Sequence, residues 1–173
     1  NMANTPIESI ESEQPLLIER FGLYPDTAGA GKFRGGLSLI RDFRVLADEA
    51  TVQLRTDRTD FLPWGVEGGK PGTPTRNYLN PDTDPKELPG KYLTTLKKGD
   101  VYRMIQAGGG GYGDPLDRDV YAVLDDVHQE KLTLDHVRRE YGVVINPGIL
   151  ELDLAATEKL REDMRIREGE TGR

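Results

Sequence analysis

The sequence predicts an α+β fold: an antiparallel β-rich unit over residues 1–116, followed by a short C-terminal helical appendage over 117–173 packed on it. Three observations predict it. Apolar residues alternate with polar ones between positions 37 and 55, the two-residue period of half-buried strands. Beyond position 117 the period changes to that of helices with an apolar stripe. Between the two regimes stand Gly108, Gly109, Gly110 and Gly111, then Asp114-Pro115, which stops extended pairing.

Residues 4–15 are polar and acidic and read as a lead-in, with Pro6 biasing Thr5 toward extended geometry. Residues 16–21 form a short strand candidate, and 25–36 a loop of turn residues. In the next strand Leu37, Leu39, Arg41, Phe43 and Val45 form the inward side, with Ser38, Ile40, Asp42, Arg44 and Leu46 outward. Residues 51–55 repeat the pattern with Val52 and Leu54 inward, and 47–50 reads as the hairpin loop joining the two. A stretch rich in Pro, Gly, Asn and Asp runs from 59 to 90, with β-prone islands near Trp64 and at 76–79. A loop that long in a compact fold implies that it wraps a neighbour or carries pairings of its own. Residues 91–96, the turn Lys98-Gly99-Asp100 and residues 101–107 read as a second hairpin.

Three helices follow. Asp117 or Asp119 caps the first, whose stripe is Val120, Val123, Leu124 and Val127. Thr133 caps the second, which Gly142 ends in a left-handed conformation. An extended piece at 143–145 is closed by Asn146-Pro147-Gly148. Asp153 then caps the third helix, with Leu154, Leu160 and Met164 on its inner side, and residues 169–173 are expected to fray.

Apolar residues make up 36% of the 173 positions and charged residues 31%, a thin core for the length. Another chain, or a further part of this one, is therefore expected to complete the hydrophobic surface. The opening Asn1-Met2 fits a processed or excised fragment. A net charge of −7, with basic residues scattered among acidic ones, argues against nucleic acid and anionic membranes. No apolar run approaches the ~18 residues of a membrane span, and no signal peptide opens the chain. With no cysteine, disulfides and thiolate metal sites are excluded, and a reducing, cytoplasmic setting is expected.

Few side chains can carry chemistry. His128 and His136 lack local metal-ligand spacing and read as solvated or helix-end residues; without cysteine, nucleophilic triads are almost unavailable. The run from Gly29 to Gly36 suggests a phosphate loop but fails as one. No glycine sits five residues before Gly31, and Phe33 stands where Ser or Thr would be needed, so a turn with exposed Lys32 and Arg34 is expected. Asp125-Asp126 reads as a solvated helix face and Trp64 as a core or interface anchor. Arg55 and Arg58 flank Asp57 in a spacing that suits an anion or surface ion pairs. Gly108, Gly109, Gly110 and Gly111 fit a tight packing corner, or a loop whose amides face a ligand. The cavity or interface candidates are thus Arg34, Arg55, Arg58 and these four glycines.

Several blocks, taken in order, resemble the C-terminal part of the hydantoinase B/5-oxoprolinase family, which includes the large subunits of ketone carboxylases. They are Asn4-Thr5-Pro6-Ile7-Glu8, Glu19-Arg20, Gly29 to Gly36 leading to Arg41, Gly65-Val66-Glu67-Gly68-Gly69 with Pro71-Gly72, Gly99-Asp100, Gly108 to Pro115, and Tyr141-Gly142-Val143-Val144. The resemblance implies a portion of a B-type subunit in an ATP-dependent hydrolase of cyclic amides such as hydantoin or 5-oxoproline. It also implies partners, namely the rest of the B-type subunit and an A-type ATP-binding subunit, in a hetero- or homo-oligomer. ATP and a divalent metal belong to the complete enzyme and neither is expected on this chain, because the family's His/Asp metal cluster lies upstream of the matched region. No catalytic or metal residue is carried over, and the chain alone is expected to be inactive. The alternatives are part of an ATP-dependent ketone carboxylase and a non-catalytic β-rich structural or assembly subunit.

Overall fold

The computed structural model describes residues 5–171; part of the Asn4–Glu8 block and residues 172–173 of the expected frayed end lie outside them. The chain is α+β, and its elements run in order through helix α1 (Ile7–Glu13) and strands β1 (Leu16–Tyr24), β2 (Ser38–Val45), β3 (Glu49–Arg55), β4 (Arg76–Leu79), β5 (Lys86–Leu88), β6 (Lys91–Lys97) and β7 (Val101–Ile105). After a 3-10 turn at Pro115–Asp117 come α2 (Val120–His128), α3 (Leu134–Tyr141), β8 (Ile145–Asn146), β9 (Glu151–Leu152) and α4 (Leu154–Thr171). Contacts gather these into two compact units. One comprises the chain up to Leu23, Leu39–Phe61 and Pro74–Ala107; the other comprises Tyr24–Ser38, Leu62–Thr73 and the chain from Gly108 onward.

In the first unit the strands are where the alternation puts them, but their partners differ from the expected hairpins. β2 pairs antiparallel with β7, and β3 with β6. Each expected hairpin is instead a bend in one long two-stranded ribbon. Between the pairs Arg44↔Val101 and Glu49↔Lys97 one strand advances five residues and the other four, so the bend contains a β-bulge. Val45 donates its N–H to Asp100 O at 2.9 Å, Gly99 to Val45 O at 2.8 Å and Lys98 to Asp48 O at 3.1 Å, which fastens the bend. Gly99 takes φ +91°, a left-handed value that suits glycine.

The extra residue has a purpose visible in the alternation. Apolar side chains occupy odd positions in β2 (Phe43, Val45) and even positions in β3 (Ala50, Val52, Leu54). A strand without the bulge would turn one set away from the other. With it, Val45, Leu54, Leu96 and Tyr102 meet in one buried cluster that Phe43, Val52 and Met104 flank.

β2 also departs from the expected single buried face, because Ser38, Ile40 and Asp42 on its other side are buried. Charge pairing makes this possible for Asp42. Its cross-strand neighbour Arg103 donates two hydrogen bonds to it, at 2.8 and 2.7 Å, and two to Asp82, at 3.1 and 3.0 Å. The Asp42 bonds above all raise the Arg103 pKa.

The long 59–90 stretch does carry its own pairings: β4 joins the free side of β7 and then pairs with β5. The five-stranded order is β1-β2-β7-β4-β5. On β4, Asn77 accepts from the Tyr102 hydroxyl at 2.7 Å and donates to Thr56 Oγ1 at 2.9 Å. Burial pushes the Tyr102 phenol up to about 12.

In the second unit the helix signals act as read. Asp119 Oδ1 accepts from Tyr121 N at 2.7 Å, Thr133 caps α3, and Gly142 ends it at φ +60°. Val123, Val127, Leu132, Val137, Tyr141, Val143 and Ile145 form the apolar core there. α4 differs from its expected stripe: Leu154 is 49% exposed, whereas Thr157 is buried and accepts from Val144 N at 3.0 Å. Polar bonds hold this helix as much as hydrocarbon does, since Arg161 donates to Tyr141 O at 3.0 Å and to Arg118 O at 2.9 Å. α4 stays helical to Thr171, past the expected onset of fraying at 169.

Leu96→Ala should lower the unfolding free energy by about 2–5 kcal/mol in denaturant titration, because it empties the centre of the first unit's cluster. Deleting Asp48 should cost more and remove the cooperative transition, since it cancels the bulge and turns Ala50, Val52 and Leu54 to the opposite face.

Candidate functional site

The four-glycine run lies in the second unit, threaded between two other backbone segments. Gly108 N donates to Thr73 O at 3.0 Å, Gly109 N to Gly36 O at 2.8 Å and Gly111 N to Lys70 O at 2.9 Å. Its carbonyls are used too: Gly29 N donates to Gly109 O at 2.8 Å and Val66 N to Gly111 O at 2.9 Å. A Cβ on Gly108 would overlap Thr27 O, and one on Gly110 would overlap Trp64 O. Glycine is required here because backbones touch, and three of the four amides bond to carbonyls rather than converging on an open anion site.

Arg34, expected exposed, lies largely buried beside this corner. Its guanidinium donates two 3.0 Å hydrogen bonds to the two carboxylate oxygens of Asp126 and one of 2.7 Å to Gly35 O. Asp126 is only 3% exposed, which corrects its reading as a solvated residue. Arg118 Nη2 adds a 2.8 Å bond and Lys131 Nζ stands 3.9 Å away, so three cations surround one buried carboxylate. Burial of such a charge is tolerable only with this degree of compensation. A signal for it was present: position 126 is three residues past Val123 and so lies next to it on the buried side of α2.

A second polar group centres on α3. His136 is buried rather than solvated; its Nδ1 lies 3.7 Å from Asp26 Oδ1 and its Nε2 makes no hydrogen bond. Asp26, at φ +61°, accepts from Thr133 N at 2.8 Å and from its hydroxyl at 2.7 Å. Desolvation lowers the His136 pKa against the raising effect of Asp26 and Glu140, with Arg139 and Lys70 adding to the depression. Burial would raise the Glu140 pKa, but hydrogen bonds from Lys70 at 2.9 Å and Arg139 at 2.8 Å outweigh it and hold the carboxyl low. His128, by contrast, is exposed, with Nε2 3.3 Å from Leu150 O.

Arg55 and Arg58 belong to the first unit, so the candidate residues are divided between the two units. Arg55 lines both an open hollow of about 620 Å³ over β3 and β6 and an apolar cleft of about 330 Å³. Arg58 adopts φ +63°, and its carbonyl accepts from Thr75 N at 3.0 Å. Trp64 is 73% exposed and so is not a core residue of this chain. Among the described residues there is no group of three or more His, Cys, Asp or Glu side chains able to hold a metal ion. No helix among them is long and apolar enough to cross a membrane.

Comparison with known proteins adds to this geometry. The family model described as hydantoinase B/oxoprolinase matches residues 1–115. A protein of Methanocaldococcus jannaschii is 39% identical over 160 residues, covering 91% of this chain and 28% of that protein. The caprolactamase subunit beta of Pseudomonas jessenii is 35% identical over 156 residues, covering 87% of this chain and 27% of its own length. The crystal structure of the ATP-dependent caprolactamase from that organism superimposes with a TM-score of 0.82 at 34% identity, covering 91% of this chain and 28% of that one. The chain therefore spans little more than a quarter of the length of these relatives.

Gly110→Ala should abolish the native fold of the second unit, whereas Gly36→Ala, where nothing lies within 4 Å of the added methyl, should leave it intact; amide exchange by NMR distinguishes the two. Asp126→Asn should cost about 3–5 kcal/mol in denaturant titration, because it leaves Arg34 and Arg118 buried against a neutral amide. His136 contributes a pH dependence of fixed sign. Its folded pKa lies below the unfolded value, so stability is full above about pH 6.5 and is lost as pH falls from there toward the depressed value. Thermal midpoints measured across that window should show a slope that His136→Gln reduces.

Proposed function

Because the chain belongs to the hydantoinase B/oxoprolinase family, we propose that it is the C-terminal portion of a B-type subunit in an enzyme that couples ATP to the hydrolysis of a cyclic amide. The substrate class comprises hydantoin, 5-oxoproline and related lactams. The fold shared with the ATP-dependent caprolactamase over nearly the whole of this chain is the observation that carries the reading. ATP, bound by an A-type partner subunit, supplies the activation that an amide carbonyl lacks, since a phosphorylated oxygen is a better leaving group than a hydroxyl.

This chain's own contribution is positional. The glycine corner permits backbone segments to approach within hydrogen-bond distance, which makes a wall that no side-chain rotamer can deform. Gly108, Gly109, Gly110 and Gly111 serve as part of that wall, and Arg34 braces it through Asp126. Arg55 and Arg58 then serve at a surface that meets the rest of the assembly. The catalytic residues and the metal lie in the remaining part of the B-type subunit, and the A-type subunit completes the assembly.

The test is ATP- and lactam-dependent ring opening, followed together with ADP release. The complete assembly should couple the two, and the isolated chain should do neither. Robust turnover by the chain alone would overturn the assignment. Consumption of a ketone together with bicarbonate, with no lactam hydrolysed, would place the assembly on the carboxylase branch instead.

A further inference from the structure

In the second unit three segments lie side by side. Phe33 and Tyr112 exchange N–H···O bonds of 2.9 Å in an antiparallel pair, and Val66 is bridged to Tyr112 in a parallel one. Residues paired this way carry their side chains on the same face. Phe33, Tyr112 and Val66 are accordingly 62%, 51% and 47% exposed together, with the two rings 6.3 Å apart. The underlying backbone is the hydrogen-bonded glycine corner, so the face is presented rigidly. Phe33 also lines a hollow of about 580 Å³ with Val120, Tyr121, Lys32, Arg118 and Asp119. Exposed aromatic side chains beside charged ones are the composition of an interface.

We infer that the Phe33–Val66–Tyr112 face, with the adjoining hollow, is the docking surface for the rest of the chain's own B-type subunit. This rests on the reading of the chain as a portion of such a subunit. One observation and one physical argument select that occupant over others. The same fold is embedded in a caprolactamase chain of which it covers 28%, so most of that polypeptide lies outside it and is available to pack against it. A separate molecule, including a second copy of this chain, needs roughly 800 Å² on each side for a stable interface. A segment of the same polypeptide needs far less, because its tether supplies a high effective concentration.

Hydroxyl-radical footprinting of the native assembly, recovered from its source cells through a tag on this chain, tests the inference, with the urea-unfolded assembly as the fully reactive reference. Phe33 and Tyr112 should lose most of their labelling and fall to the level of buried Tyr141, while exposed Ile166 keeps its own. If the assembly contains the long subunit yet Phe33 and Tyr112 label like Ile166, the docking surface is wrong and the family role stands. Protection in an assembly made only of copies of this chain would overturn both, in favour of self-association. As a second readout, Phe33→Ser combined with Tyr112→Ser should raise the labelling of Val66 in the assembly, whereas unchanged labelling there would overturn the inference.

Discussion

Contact between backbones is the constraint on which the second unit depends. Where Gly108 to Gly111 pass between the segments around Thr27, Gly36 and Lys70, the space between chains is that of a hydrogen bond and no more. Everything nearby follows from this spacing: Phe33, Val66 and Tyr112 are brought into register, and Arg34 is placed where it reaches Asp126. The fold tolerates a buried carboxylate at that point because Arg34 arrives from the glycine loop and Arg118 from just before α2, both against the one oxygen pair.

The first unit obeys a different rule, that of alternation. Its ribbon bends without losing its apolar face because one inserted residue moves the buried positions from odd to even. The two units thus show two ways of bringing distant chain together. One packs hydrocarbon from bent strands, and the other adds to its own apolar core a junction of amides from loops.

This difference explains what the sequence revealed. Strand positions, the caps at Asp119, Thr133 and Asp153, and the stop at Gly142 are local events, and each was legible from a few neighbouring residues. The α+β class followed from them. Partner choice was not legible at 47–50 and 98–100, because the same turn residues serve a reversal and a bulged bend, and only the distant strand decides between them. Asp126 and His136 were misread for a related reason. A charged or titratable side chain looks solvated until its partners, 92 residues away in the case of Arg34, are known. Trp64 lies outside the core of this chain, and apolar character alone could not separate a core anchor from an interface one.

The glycine corner also implies a distinctive response to temperature. Heat-capacity change on unfolding tracks exposed apolar area, with a contribution of opposite sign from polar groups. A junction fastened mainly by amide-to-carbonyl bonds adds little to that increment, whereas the Val45–Leu54–Leu96–Tyr102 cluster adds a good deal. Chilling therefore weakens the bent ribbon's hydrocarbon interior before it loosens the glycine junction.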